Sequence, residues 1–185
     1  MKARLATHVG TRVSLRIYWG KDCANGSYHN VQKHLFDSDE INNWELGGNV
    51  EDYTEEEWPT HCECGCEIPK EDINRQVFRK RLYDTPSGEI EPGCLYWVDW
   101  LPETTYWSNH KGDHLHAMLP NGHEWNIDSR ASNCTMKEDK EHRCWCRHGE
   151  VPNIDVNKKG NTCQAGAGSI AVPGYHGFLR NGEFT

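Results

Sequence analysis

His61-Cys62-Glu63-Cys64-Gly65-Cys66 and His142-Arg143-Cys144-Trp145-Cys146-Arg147-His148 are the stretches around which the rest of the chain is read. Five of the nine cysteines lie in them, and Cys134 and Cys163 flank the second. Thiolate and imidazole are the donors that a four-coordinate zinc ion selects. His61-x-x-Cys64-Gly65 has the two-residue spacing of a zinc knuckle, with a glycine free to take the positive φ of a tight turn. Cys62, Cys64 and Cys66 alternate, as do Cys144 and Cys146, so an extended backbone turns each set to one side. Cys144-x3-His148 is a further pair that one ion can span. The candidate ligands are therefore Cys62, Cys64, Cys66, Cys134, Cys144, Cys146, His148 and Cys163, and the expected cofactor is zinc. Cys64 and Cys144 are the anchors of their clusters. The spacing leaves open whether the clusters share one ion or hold two.

Disulfides are the competing use of so many cysteines, but nine is odd and a fully paired framework leaves one thiol over. Met1 to His8 has no apolar stretch behind it, so no signal peptide is read there. A reducing cytosol is the expected setting, and there cysteines stay as thiols or bind metal. Isolated Cys23 reads as a small buried hydrophobe.

A length of 185 residues fits one domain, taken here as 1–185, with 1–57 an N-terminal portion and 58–185 the cysteine-rich core. Hydrophobic content is only 36%, and eight Trp and seven Tyr carry much of it. A core of large aromatics cross-linked by metal needs fewer aliphatic residues. No apolar run approaches the roughly 20 residues that cross a bilayer as a helix, so no membrane partner is expected. The net charge of −8 excludes a generally basic nucleic-acid binder. That charge is uneven: residues 37–57 carry nine acids and no base, and the remainder is near neutral. The acidic run reads as a solvated loop.

Strand signals outweigh helix signals. Val13, Leu15, Ile17 and Trp19 alternate with Arg12, Ser14, Arg16 and Tyr18, the period of a half-buried strand. Residues 28–48 have weak helical spacing, with Asp37-Ser38-Asp39-Glu40 as a candidate cap before Ile41 and Trp44. Ile73 to Tyr83 reads as a short helix or an irregular strand. Leu95 to Leu101 reads as an apolar strand buried on both faces. Leu115 to Asp128, broken by Asn121-Gly122, carries the strongest hairpin signal, with a type I′ turn expected at Asn-Gly. The expected fold class is α+β and strand-dominated: a small antiparallel sheet with this hairpin, and irregular loops cross-linked by zinc.

The hairpin histidines raise a catalytic alternative. His114, His116, His123 and Asp128, with His110 and Asp113 before them, are candidates for the metal site of a zinc-dependent hydrolase, and His114 and His116 share a strand face. No H-E-x-x-H or other hydrolase motif of defined geometry accompanies them. Ser132 and Cys134 lie near His142 in sequence, but triads are defined in space. Gly166-Ala167-Gly168 lacks the lysine and spacing of a phosphate loop and reads as a close-packed turn. A third reading is a nucleic-acid-binding zinc protein, with Arg79, Lys80 and Arg81 as candidate phosphate contacts beside Arg12 and Arg16.

Trp125 through Cys134, His142-Arg143-Cys144-Trp145, Gly166-Ala167-Gly168-Ser169-Ile170 and Tyr175-His176-Gly177-Phe178-Leu179 together resemble uncharacterised small zinc-binding-like proteins encoded by phages of actinobacteria. The resemblance spans about residues 58–185. It implies a viral origin, and with it the host cytoplasm or a virion as location, but it brings no activity and no residue roles. The reading that results is a non-enzymatic, zinc-stabilised interaction protein. A protein partner is expected ahead of nucleic acid.

Overall fold

The structure is a computed structural model, which describes all residues except 21, 25–27, 99–113, 137, 140–141 and 166–167. The chain forms two compact units. Residues 8–84 form one, and residues 1–7 together with 85–185 form the other. The fold is strand-dominated. The expected helical part is reduced, among the described residues, to two three-residue 3-10 turns at Val50–Asp52 and Glu55–Glu57.

In unit 1 the first strand is β1 (Arg4–Leu5). Unit 2 then contributes β2 (His8–Trp19), β3 (His29–Ser38) and β4 (Ile73–Tyr83), an antiparallel sheet in the order β3-β2-β4. The alternation read in β2 holds: Val13, Leu15, Ile17 and Trp19 are buried. They pack with Trp58, Cys62 and Val77, and with partly buried Leu46, Val50 and Tyr53 from the segment between β3 and β4. The weak helical pattern over 28–48 loses to pairing, because nine of the ten residues of β3 stand in register with β2. Residues 73–83 are a strand for the same reason, in register with β2 from Trp19↔Ile73 to His8↔Tyr83. The acidic segment lies across one sheet face as exposed turns, with Glu55 and Glu57 in the second of them.

Unit 1 continues with β5 (Cys94–Val98), β6 (His114–Met118) and β7 (Glu124–Asn126). These three strands and β1 form a sheet in the order β1-β5-β6-β7, in which β1 runs parallel to β5. A second sheet is built from β8 (Cys146–Glu150), β9 (Asn153–Asn157), β12 (Leu179–Arg180) and β13 (Glu183–Phe184), in the order β13-β12-β9-β8. Between β9 and β12, β10 (Ile170–Val172) pairs with β11 (Tyr175–Gly177). One core gathers Leu95, Leu115, Leu119 and Ile127 from the first sheet and its hairpin with Ile154, Leu179 and Phe184 from the second. The expected Leu95–Leu101 strand is buried over Cys94–Tyr96 and at Val98, but Trp97 is exposed, under the guanidinium of Arg147 at 5.3 Å. Residues 99–101 lie outside the described residues, as do His110 and Asp113.

The hairpin β6–β7 has the expected Leu115 and Trp125 buried. Its turn differs from the one expected. Met118 pairs with Glu124, Leu119 N–H donates to His123 O at 2.8 Å, and Gly122 N–H donates to Leu119 O at 2.9 Å. The turn therefore spans Leu119 to Gly122, with Pro120 at the position its fixed φ suits and Gly122 following at φ +81°. This is the three-residue loop ending in a left-handed glycine, and Pro120 displaces the two-residue Asn-Gly turn.

Candidate metal centres

Two groups of side chains are arranged to hold a metal ion, one in each unit. In unit 2 the group is Cys23, His29, Cys62 and Cys64, and in unit 1 it is Cys134, His142, Cys144 and Cys163. Within each group the four ligand atoms lie within 4.8 Å of one another. All nine cysteines are thiols, so no cysteine is consumed by a disulfide.

The unit 2 centre is assembled from two turns. Cys23 lies in the β2–β3 connection and His29 opens β3. The Cys62–Cys66 stretch closes on itself: Gly65 N–H donates to Cys62 O and Cys62 N–H donates to Cys66 O, each at 2.8 Å. Gly65 takes φ +88°, the conformation for which a glycine in the knuckle was read. His29 is buried and stacked on Trp19 with ring centroids 4.8 Å apart. Its Nδ1 sits 3.3 Å from Cys64 Sγ, and its Nε2 is 3.1 Å from Asp22 Oδ1. A carboxylate on the far nitrogen is the usual partner of a ligating imidazole, because it fixes the tautomer and aims the lone pair of the near one.

The unit 1 centre uses the turn before β8 and the loop after β9. Cys144 Sγ is 3.7 Å from Cys163 Sγ and 3.7 Å from His142 Nε2. Around a tetrahedral ion with sulfur bonds of about 2.3 Å and nitrogen bonds of about 2.0–2.1 Å, sulfur–sulfur edges are roughly 3.8 Å and nitrogen–sulfur edges roughly 3.5 Å. The Cys144–Cys163, Cys144–His142 and His29–Cys64 separations lie within about 0.2 Å of these edges. Backbone N–H groups point at the sulfurs: Met136 donates to Cys134 Sγ and Ala165 to Cys163 Sγ, each at 3.4 Å. Such donors favour the thiolate that a metal requires.

The thiols respond to these surroundings. The backbone N–H of Cys66, with help from the neighbouring thiols, lowers Cys64 to about 7. Burial pushes Cys144 up to about 12. Burial acts the same way on Cys163 but is outweighed by Ala165 N–H, His142, Cys144 and Asn161, which hold it at about 6.

Five of the eight ligands read from sequence stand in these groups: Cys62 and Cys64 in one, Cys134, Cys144 and Cys163 in the other. Cys66 is exposed beside Cys64, Cys146 is half-buried at the start of β8, and His148 is exposed on that strand; none of the three belongs to a four-atom group. His61 is exposed, with its Nδ1 on Thr60 Oγ1. Cys23, His29 and His142 complete the groups instead. The spacing His142-x-Cys144 is a signal for His142, whereas Cys23 and His29 are brought together only by the turn between β2 and β3.

Among the described residues, the hairpin candidates form no group arranged to hold a metal ion. Asp128 is wholly buried, accepts Leu115 N–H at 2.8 Å and is ion-paired to Arg147 at 2.8 Å and Arg143 at 3.2 Å. It ties the hairpin to the stretch that carries Cys144. His114 and His116 are buried on one face of β6, and His123 is exposed at the turn. His116 Nδ1 lies 2.6 Å from Glu124 Oε1, which lowers the pKa of that carboxyl, with Tyr96 adding to the effect. The basic trio splits as well. Arg79 donates to Leu46 O at 2.8 Å and Gly48 O at 2.6 Å, Arg81 reaches Asn42 Oδ1 at 3.4 Å, and exposed Lys80 is in register with Arg12.

No protein family, curated protein or solved structure matches this chain. The two Cys3His groups are thus the strongest functional statement that the molecule makes. No helix among the described residues is long and apolar enough to cross a membrane.

Proposed function

We propose that the protein is a non-enzymatic binding protein stabilised by two structural zinc ions, acting through a protein partner. The observation that carries this reading is the ligand set: three thiols and one imidazole gather at each centre, enough to fill all four positions of a structural zinc ion and leave none for water or substrate. The donor set, rich in sulfur and tetrahedral in spacing, suits zinc among the divalent ions. A protein partner is supported by the segment after β3, where Trp44 is 66% exposed beside Ile41 at 51%. Large apolar side chains held in solvent are the anchors that interfaces use. With this reading goes the expectation, drawn from sequence alone, of a phage-encoded protein in the infected host's cytoplasm or in a virion. Elemental analysis should give two zinc ions per chain, and cobalt substitution should give the intense visible bands of tetrahedral thiolate sites. Fewer than two ions, or a six-coordinate cobalt spectrum, would sink the reading. Trp44→Glu should abolish partner binding with both ions retained.

A second reading, nucleic-acid binding, is favoured by the face of β2 opposite the core. There the Arg16 guanidinium lies over Tyr18 at 5.4 Å and Phe78 at 5.0 Å, with Arg12 and Lys80 nearby in register. Aromatics interleaved with cations are the platform on which single strands stack. Fluorescence anisotropy with a labelled single-stranded oligonucleotide at low salt tests it. Binding that Tyr18→Ala and Phe78→Ala weaken supports it, and no binding removes it.

A further inference from the structure

Unit 2 holds one thiol more than its centre uses. Cys23, Cys62 and Cys64 join His29 there, and Cys66 is left over. The knuckle sets its position. Gly65 N–H donates to Cys62 O and Cys62 N–H donates to Cys66 O, each at 2.8 Å, so the chain folds back and brings Cys66 to the side of Cys64. The two thiols interact directly, and that interaction raises the pKa of Cys66.

This pair is open to solvent. Cys64 and Cys66 are both exposed. A Cβ added to Gly65 between them would meet nothing within 4 Å, so no neighbouring side chain covers the tip of the knuckle. The pair is also within bonding range. Two residues of chain separate Cα atoms by at most about 7 Å, and a turn by less. A disulfide spans Cα atoms roughly 4.4–6.8 Å apart. The bond therefore needs only a rearrangement within the knuckle.

Unit 1 repeats the Cys-x-Cys spacing at Cys144 and Cys146, but there it is shut. Cys144 is wholly buried and Cys146 is half-buried. One spacing is thus presented to solvent at one centre and withheld from it at the other.

We infer that Cys66 is the resolving thiol of a redox switch: peroxide joins Cys64 to Cys66 in a disulfide, and unit 2 gives up its zinc ion while unit 1 keeps its own. This rests on the zinc reading above and adds a regulation to one of its two centres. The Cys64 thiolate attacks one oxygen of hydrogen peroxide, the O–O bond breaks, hydroxide leaves, and Cys64 becomes a sulfenic acid. The Cys66 sulfur then attacks the Cys64 sulfur and the S–O bond breaks. The hydroxyl departs with the proton of Cys66 as water. The two sulfurs lose two electrons and the peroxide oxygens gain them. Cys23, His29 and Cys62 remain, one donor short of the four that hold a structural zinc ion.

The test uses the intact, zinc-loaded protein, with its metal content measured first. Hydrogen peroxide is added at neutral pH in the presence of a chromogenic chelator, and the products are denatured, alkylated and mapped by mass spectrometry. One ion per chain should be released. Fragmentation should place a disulfide between Cys64 and Cys66, with Cys62, Cys134, Cys144 and Cys163 alkylated. A dithiol reductant and added zinc should restore the lost ion. Cys66→Ser should hold both ions before oxidation and release the unit 2 ion at least about tenfold more slowly, because the oxidised Cys64 then lacks a resolving thiol outside the centre. Cys146→Ser should match the unaltered protein. Undiminished release from Cys66→Ser would overturn the proposal. So would a disulfide made by Cys23 or Cys62 in place of Cys66, or release of both ions at one rate. A Cys66→Ser protein with only one ion would overturn it too, since Cys66 would then be a ligand. If Cys66→Ser does not fold, the disulfide map of the unaltered protein decides. An unaltered protein with no ion in unit 2 fails the zinc reading and the switch together, whereas a loaded one that keeps both ions under peroxide fails the switch alone.

Discussion

Cys134, His142, Cys144 and Cys163 are all buried, whereas the centre of Cys23, His29, Cys62 and Cys64 leaves Cys64 exposed, with the exposed thiol of Cys66 beside it. The ligand chemistry is the same in the two units, and the enclosure is not. At the buried centre an ion would be enclosed by Ala131, Met136, Ala165 and Trp145. At the other it would sit on a knuckle at the surface, backed on one side by Trp19 and Trp58. Ligand identity therefore sets which ion fits, and the packing around it sets how easily water, chelators or oxidants reach it.

The largest effect follows from breaking one centre and not the other. Apparent zinc energies of about 10–16 kcal/mol in small zinc peptides exceed the roughly 5–15 kcal/mol net stability of a domain. Cys144→Ser should therefore leave one ion per chain and abolish cooperative unfolding of unit 1, while Cys23→Ser or Cys64→Ser should remove the other ion and act on unit 2. Metal analysis with unfolding followed by circular dichroism separates the cases. Loss of both ions from either variant would deny that the centres are independent.

Enclosure itself is tested by a chelator. Release monitored with a chromogenic chelator should be biphasic, with the fast phase missing in Cys64→Ser and the slow phase missing in Cys144→Ser. One phase for both ions would mean that burial does not govern access.

A third comparison sets the buried carboxylate against the exposed one. Asp128→Ala strands Arg143 and Arg147 and leaves Leu115 N–H unpaired, and it should cost about 3–5 kcal/mol in a denaturant melt. Asp37 is exposed and held to about 2 by its hydrogen bond from Arg12, with His34 adding to the effect. Its folded value lies below the ordinary 3.8. Its contribution is therefore present above pH 3.8 and is lost as the pH falls through about 2. Asp37→Asn should shift stability by no more than about 0.5 kcal/mol at neutral pH, as surface pairs do. Between these lies Gly122→Val, at about 1–3 kcal/mol, because a β-branched residue resists φ +81°.

Strands with strict alternation were legible. β2 buries Val13, Leu15, Ile17 and Trp19 as its alternation reads, although Ser14 on the opposite face is buried too, and the hairpin was located by its turn residues. The strand over 29–38, read as weakly helical, was not, because β3 owes its form to pairing with β2, a partner that local propensity does not see. The two centres were half legible. Clustered cysteines such as Cys62 and Cys64 announce themselves, but Cys23 and His29 reach their centre only because β2 and β3 turn there, and no local spacing displays that. His148 stood at an attractive distance from Cys144, yet β8 carries it away into solvent. Asp128 resembled a catalytic acid beside histidines, and only its two arginine partners mark it as a structural charge.

The interruption of unit 1 by unit 2 also orders events during synthesis. β1 pairs with β5 through Arg4↔Cys94, across the whole of residues 8–84. As the chain leaves the ribosome, β1 emerges first and has no partner until β5 follows some ninety residues later. Unit 2 has all of its strands and ligands in hand before that point, so it can fold as a completed insert while the first strand waits. A folded insert holds its two ends fixed, which shortens the effective loop that β1 must close to reach β5. Metal supplied early to Cys23, His29, Cys62 and Cys64 would then speed the later assembly of a unit to which none of those four residues belongs.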